Sequence, residues 1–247
     1  MKIINDGLPE VIYEWLKQDF YDHEGAQGSI SATTLLKPIQ EIVLTQRHAE
    51  NIEIKASGRV WSVFGSGVHA VLDKMMVGKG IEKEERLKFN IVGRTISGKF
   101  DLIKDGTLYD YKVTSAFTIM DGSRVKEWVM QLSIYRWLYH KVKLLTLNDK
   151  AYIITLLKDW RQSNVGKLNY PISPIIEIPI DLMGIEETEH FIILELNKLI
   201  KAEKLPDSEL PACTDEERWY NAKKKLYMKC DKYCTCKDFC RQFKESL

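Results

Sequence analysis

The chain has 247 residues, of which 45% are hydrophobic and 29% charged, and its formal net charge is +1. That is enough for a proper core, as one domain with additions, and the neutral balance excludes a globally basic nucleic-acid binder, so such binding would rest on local patches. No run approaches the length of a membrane span, and Met1 to Phe20, with Asp6, Glu10, Glu14 and Asp19, reads as too acidic and too short of apolar residues for a signal peptide.

In chain order, Pro9 to Tyr21 predicts a short amphipathic helix and residues 22–31 a polar, glycine-containing loop. Ser31-Ala32-Thr33-Thr34-Leu35-Leu36-Lys37-Pro38 has the form of a helix start, with Ser31 or Thr33 as the cap. A second helix is expected from Ile39 to His48, with Gln46, Arg47 and His48 read as solvated. Within Val60 to Leu72 the pattern becomes helical after Gly65, with Val68, Val71 and Leu72 on one face. His69 sits at the edge of that stripe, as a packing residue or as a ligand. Gly80 to Lys88 is charge-rich, and a strand is expected to begin over Arg86 to Val92.

The stretch from Thr95 to Val113 carries the strongest local signal. Asp105-Gly106 lies between two apolar-alternating runs, Thr95 to Ile103 and Thr107 to Val113, which predicts a two-residue hairpin turn. Counting from that turn places Lys104 opposite Thr107, Ile103 opposite Leu108, Leu102 opposite Tyr109, Asp101 opposite Asp110 and Lys99 opposite Lys112. Alternation puts Asp101, Asp110 and Lys112 on one face and Phe100, Leu102, Tyr109, Tyr111 and Val113 on the core face. Two carboxylates about 5 Å apart repel by roughly 3 kcal/mol at an effective dielectric of about 20, and by less than about 1 kcal/mol when solvated. A buried pair therefore needs a proton, a cationic side chain or a metal, and hard oxygen donors suit magnesium or manganese. The alternative is a solvated checkerboard of charges.

Ser115 to Ser123 reads as a mobile loop, and residues 124–141 as a helix with Trp128, Leu132, Tyr135 and Tyr139 near helical spacing. Gln131 and Tyr135, at i and i+4, point the same way, and Arg136 lies beside them. Ala151 to Leu157 predicts a strand, Arg161 to Pro174 a loop, Ile175 to Ile180 a strand and Ile185 to Ala202 a helix. Pro206 and Pro211 punctuate the change to a basic, cysteine-rich tail. The order helix, three strands, helix, strand is not a doubly wound alternation. It predicts an α/β (α+β) fold with a central mixed sheet flanked by helices, divided as a helical lead-in 1–60, a core 61–205 and the tail 206–247.

These residues carry a resemblance. Gly98-x-x-Asp101, then Asp110-Tyr111-Lys112, then Gln131-x-x-x-Tyr135, preceded by His69 on a helix, resembles the PD-(D/E)XK nuclease superfamily and, within it, the RecB-like branch of phage-encoded and CRISPR-associated exonucleases. The match covers about residues 61 to 158, and the lead-in Ser31 to Leu36 with Arg47-His48 is similar to phage members. Gly98 stands where the name-giving proline would. The resemblance implies a restriction-endonuclease-like core and a Mg- or Mn-dependent DNA exonuclease of recombination or repair, phage-encoded, with DNA and a single-strand annealing or recombination protein as partners. It implies Asp101, Asp110, His69 and the Tyr111 carbonyl as metal ligands, Lys112 as the catalytic lysine, and Gln131, Tyr135 and Arg136 as residues that support the site and orient DNA. A structure- or site-specific endonuclease and a non-catalytic DNA-binding subunit are the alternatives on the same fold.

All five cysteines follow residue 212, which is unlike a secreted disulfide framework and favours a reducing, cytoplasmic compartment. Cys230-x3-Cys234-x-Cys236-x3-Cys240 with Cys213 upstream lies among charged residues, which favours a bound metal, although the spacing is not that of paired zinc-finger units. Related RecB-like nucleases carry a 4Fe-4S cluster with one cysteine before the core, and this chain has none there. An in-tail set of Cys213, Cys230, Cys234 and Cys240, with Cys236 in doubt, is the expected cluster or zinc site; disulfides or reduced thiols are the alternatives. The tail also interleaves lysines from Lys223 to Lys244 with Trp219, Tyr220, Tyr227 and Tyr233, a pattern for tracking a phosphate backbone or simply a solvated face.

Overall fold

The computed structural model describes residues 1–18, 29–75 and 77–246. They form two compact units. One comprises residues 29–36 and 62–193; the other collects 1–18, 37–61 and 194–246.

The first unit is built on a six-stranded mixed sheet. Along the whole chain, β1 is Lys2–Ile4, α1 Glu10–Lys17, β2 Ser29–Ser31, α2 Ala32–Leu35, α3 Ile39–Arg47, β3 Glu53–Lys55 and α4 Val60–Met75. Then come β4 Ile81–Ile91, β5 Arg94–Lys104, β6 Thr107–Thr114, α5 Ala116–Asp121, α6 Val125–Lys143, β7 Lys150–Leu157, β8 Ile175–Asp181 and α7 Ile185–Ala202. The sheet order is β2-β5-β6-β7-β8, with β4 on the other edge of β5. β6 and β7 run parallel, as do β2 and β5; the remaining pairs are antiparallel. This is a mixed α/β fold with a central mixed sheet flanked by helices.

Helix α6 lies across β4, β5 and β6. Its Leu132, Ile134, Trp137 and Leu138 are fully buried, together with Ile96, Phe100, Ile103, Leu108 and Ile153 of the strands. At Gly98 the approach is closest: a Cβ there would stand 2.7 Å from Leu138 Cδ1 and 2.8 Å from Tyr135 Cδ1. The glycine lets the helix come down on the strand.

Several local expectations change. The helical part of 9–21 is Glu10–Lys17, and residues 19–28, including most of the expected loop, lie outside the described residues. β4 begins at Ile81, so the charged run belongs to a strand; β4 pairs only with β5, and an edge strand tolerates charge. The 115–123 segment is not a loop but holds α5, because Ser115 accepts the Thr118 N–H as its cap and Gly122 closes the helix at φ 67°. α4 starts at Val60, before Gly65, and the expected apolar stripe is not core: Val71 is 60% exposed, while Val63 is buried.

In the second unit β1 pairs with β3 in parallel, and α3 buries Ile42, Val43 and Leu44. Arg47 is exposed, as expected, and His48 half-buried, but neither is free. Arg47 Nη1 and His48 Nε2 hold the two Asp207 oxygens at 2.5 and 2.7 Å, Arg47 Nη2 donates to the Glu203 and Leu205 carbonyls, and His48 stacks on Phe239 at 4.2 Å. The hydrogen bond from His48, and then that from Arg47, holds the Asp207 carboxyl below its ordinary value. That stabilisation is present above the unfolded carboxyl value and is lost as pH falls through the lower folded one. Asp207→Ala is expected to cost on the order of 1 kcal/mol at pH 7, little because the carboxylate is partly solvated. Melting curves of variant and wild type should converge as pH falls below the ordinary carboxyl range. Among the described residues no helix is long and apolar enough to cross a membrane.

Candidate active site

The hairpin turn forms as the sequence dictates, with Asp105 and Gly106 at φ 50° and 74°. Register also follows the count for Lys104↔Thr107, Ile103↔Leu108 and Leu102↔Tyr109. There the pairing of β5 with β6 stops. Beyond it β6 continues only with β7, through Thr114↔Leu157, while β5 keeps β4 on one edge and takes β2 at 95–97 on the other. The sheet therefore splits at Asp101. This corrects the expectation that Asp101 and Asp110 face each other as ladder partners. The Asp101 carboxylate takes over one ladder bond itself: its Oδ2 accepts the Tyr111 N–H at 2.7 Å. Lys99 does not face Lys112; it pairs in register with Arg86 and forms an ion pair with Glu84.

Two polar groupings occupy the split. In one, His69 Nδ1 lies 3.1 Å from Asp101 Oδ1, and the His69 ring meets Tyr111 edge-on at 6.0 Å. Asp73 and Glu84 line the same small cleft as His69, Asp101 and Tyr111. Neither acid was singled out from the sequence. Asp73 carries a legible signal, since it is four residues from His69 on one helix face. Glu84 does not, because the start of β4 was set too late; its neighbours Lys83 and Glu85 pair with Leu102 and Phe100, which puts Glu84 level with Asp101.

In the other grouping, Lys112 Nζ stands 2.7 Å from Asp110 Oδ2 and donates to Gln131 Oε1 at 3.2 Å; Gln131 Nε2 in turn donates to Tyr135 Oη at 2.8 Å. Gln131 and Tyr135 are brought to the site by α6. Arg136 is not, since its guanidinium donates to the Leu147 and Met183 carbonyls. Tyr111, expected on the core face, is buried, with its ring edge-on to His69.

The electrostatics are those of a crowded acid site. Asp110 is 2% exposed. Burial, opposed by Lys112 and reinforced by Asp101, pushes its carboxyl up to about 6. Burial alone would lower His69, yet the hydrogen bond and charge of Asp101, with the charge of Asp110, raise it above its ordinary value. Lys112 approaches Asp110 Oδ2 closely, so this buried oxygen has an ammonium as its charge neighbour, while no aligned donor reaches it. Burial of a carboxylate demands such charge compensation, which here the ammonium supplies. Two carboxylates and an imidazole fit a divalent metal in donor type. Among the described residues, however, no three His, Cys, Asp or Glu side chains converge into a set that holds an ion as they stand. Asp101 is engaged with His69 and the Tyr111 N–H, and Asp110 with Lys112, so a bound cation would have to displace those partners.

The second unit contains a thiol-lined cavity of about 20 Å³, bordered by all five cysteines. The tail completing it comprises α8 Asp215–Arg218, the strands β9 Tyr220–Asn221 and β10 Leu226–Tyr227, α9 Met228–Lys232 and α10 Arg241–Lys244. No disulfide forms among the cysteines. The buried Gln40 Oε1 accepts from the Cys213 and Cys240 thiols at 3.5 and 3.4 Å, and Cys234 and Cys236 Sγ are 3.5 Å apart. Cys236, in doubt from spacing, lies inside with the others. Burial pushes the Cys213 thiol up to about 12 and also raises Cys240. The shared hydrogen bond raises Cys234 and lowers Cys236. The donors are of metal–thiolate type, although among the described residues no three of them converge to hold an ion as they stand. Arg218, 6% exposed on the cavity wall, lies over the Tyr227 ring and leaves Nε and Nη2 without hydrogen-bond partners. A buried guanidinium with no carboxylate partner among the described residues complements the negative charge that thiolate ligation brings.

No protein-family model matches the sequence, and no curated protein is significantly similar to it. The fold has relatives among solved structures. The crystal structure of SSO0001 aligns over 94% of this chain and 92% of its own, with a TM-score of 0.55 at 19% identity, a likeness of fold. The crystal structure of a phage related exonuclease from Haemophilus somnus 129PT aligns over 75% of this chain and 87% of its own, with a TM-score of 0.42 at 12% identity, too low to carry an argument.

Proposed function

We propose that the chain is a metal-dependent deoxyribonuclease, an exonuclease that hydrolyses phosphodiester bonds in recombination or repair, working with a single-strand annealing or recombination protein. The observation that carries the reading is the buried Asp110 oxygen without an aligned donor, beside Asp101, His69 and Lys112 at a split in the sheet. Magnesium or manganese is the ion this donor set takes, held by Asp101, Asp110, His69 and the Tyr111 carbonyl. When bound, such an ion supplies withdrawal of charge from the scissile phosphate and acidification of a water.

The chain's own residues do the rest. Lys112 sits with one neighbour that binds it as an ion and one that orients it: Gln131 Oε1 fixes the ammonium, and Tyr135 fixes Gln131. An ammonium held there can orient the attacking water or neutralise charge on the phosphoryl oxygens as the transition state forms. Asp101, tied to the backbone at Tyr111, is the rigid acid of the pair. Gln131 acts as a positioning residue, and Tyr135 supports it.

End-labelled linear DNA incubated with manganese should be shortened progressively from an end, while a covalently closed circle of the same sequence stays intact. Cutting of the circle would turn the reading to an endonuclease, and no cleavage of either would overturn it. We further propose that the thiol cavity holds a 4Fe-4S cluster or zinc. Protein purified without oxygen should then contain iron and sulfide, or zinc, in stoichiometric amount; finding none of them removes that reading and leaves reduced thiols.

A further inference from the structure

Neither the carboxylate site nor the thiol cavity uses a strip of exposed aromatic rings between residues 219 and 233. Trp219 follows α8 with φ 57°, its N–H bonded back to the Asp215 and Glu216 carbonyls. Glycine usually fills such a left-handed helix end, and a bulky residue there is strained. The chain accepts that strain and sets an indole there, 42% exposed. Tyr233, 63% exposed, leans on it with ring centroids 5.5 Å apart and planes at 56°. Tyr220, 48% exposed, begins the β9–β10 hairpin and leans on Tyr227 at 5.0 Å and 49°; Tyr227 is backed in turn by the Arg218 guanidinium at 3.4 Å. The rings are propped from behind and open to solvent in front.

Acids lie just before the rings, in α8, where Asp215 accepts the Tyr227 hydroxyl at 2.8 Å, but the ring segment itself is basic. From Trp219 to Tyr233 there are five lysines and one acid, Asp231. Lys229 is committed to Glu41 at 2.7 Å. Lys223, Lys224 and Lys225 at the hairpin tip, and Lys232 beside Tyr233, are exposed and carry no ion pair among the described residues.

We propose that this face binds single-stranded nucleic acid, with Trp219, Tyr220 and Tyr233 stacking on unpaired bases and the lysines tracking the phosphates. Aromatic faces beside free cations are what a strand with unstacked bases fits, because each base offers a π-face and each step a phosphate. A duplex keeps its base faces stacked on one another. A protein partner is disfavoured by the lysines, which are depleted in protein interfaces. This inference goes beyond the hydrolytic reading and does not rest on it.

The test uses the full chain with Asp110→Asn, without added divalent metal, so that binding is read apart from cleavage. Fluorescence anisotropy with a labelled oligo(dT) strand should show tighter binding than to a duplex of the same length. Trp219→Gly, which keeps the left-handed helix end, and Tyr233→Ala should each weaken oligo(dT) binding by about 5- to 100-fold. Replacing Lys223, Lys224 and Lys225 together by glutamine should flatten the salt dependence by about two, near 0.7 per phosphate contact on a single strand. Those lysines are exposed, so this variant decides the matter even where a ring substitution lowers the melting temperature. Unchanged affinity and salt slope in the lysine variant overturn the proposal. So does duplex binding that is insensitive to the rings, or binding to anionic phospholipid vesicles in place of oligo(dT).

Discussion

Asp110→Asn is expected to abolish DNA hydrolysis, by at least about 10²–10³-fold, while raising the melting temperature at pH 8 in metal-free buffer. Burial pushes the Asp110 carboxyl up to about 6, so its ionised form is disfavoured in the folded protein. A raised folded value means that the stabilising contribution is fully present below the unfolded value, near 4, and is lost as pH rises through about 6. Asparagine resembles the protonated acid and avoids that loss, which is worth on the order of 1–3 kcal/mol. For a chain of this size that is a gain of about 2–4 °C per kcal/mol, shrinking to nothing near pH 4. Lys112→Met should cost similar activity with the opposite effect on stability, since it leaves the buried carboxylate without its 2.7 Å charge partner. Calorimetry at pH 4 and pH 8, with a cleavage assay on the same preparations, checks both. An Asp110→Asn protein that still cuts DNA defeats the site assignment, and one that melts lower at pH 8 defeats the burial argument.

The second large effect is expected at Gly98. An alanine Cβ there would lie 2.7 Å from Leu138 Cδ1 and 2.8 and 2.9 Å from the Tyr135 ring carbons Cδ1 and Cε1. Neither neighbour can yield cheaply: Leu138 is fully buried, and Tyr135 accepts the Gln131 N–H. Gly98→Ala should therefore destabilise the fold by about 1–3 kcal/mol, the range for overpacking a core, and Gly98→Val by more. Moving Tyr135 also releases Gln131 and, through it, Lys112, so cleavage should fall even at temperatures where the variant is folded. Denaturant melts and a cleavage assay on the folded variant separate the two losses; an alanine variant as stable and active as wild type would show that α6 can lift off the strand.

Much of the first unit was legible because its signals are local. Asp105-Gly106 gave the turn through the positive φ both residues adopt, and the turn set the register of the three pairs next to it. The α6 stripe and the bounds of α7, Ile185 to Ala202, followed from periodicity. What failed also failed locally. Charged residues in β4 hid an edge strand, and the Ser115 cap was missed, so α5 read as a loop. Arg47 and His48 looked solvated because their partner, Asp207, lies some 160 residues further along the chain.

By itself, then, the sequence determined which acids, which lysine and which helix stand near one another, since turn chemistry and side-chain alternation act over a few residues. Only the tertiary structure decided that Asp101 and Asp110 part company. β6 leaves β5 for β7 after one short hairpin, and Asp101 spends its carboxylate on the ladder bond that the departing strand gives up. For the cysteines, an in-tail set of four was expected, and the structure added Cys236 and the buried Arg218 guanidinium to the cavity they border. Neither the strand split nor that addition is encoded in spacing, because each depends on where strands and tail segments far apart in sequence come to rest.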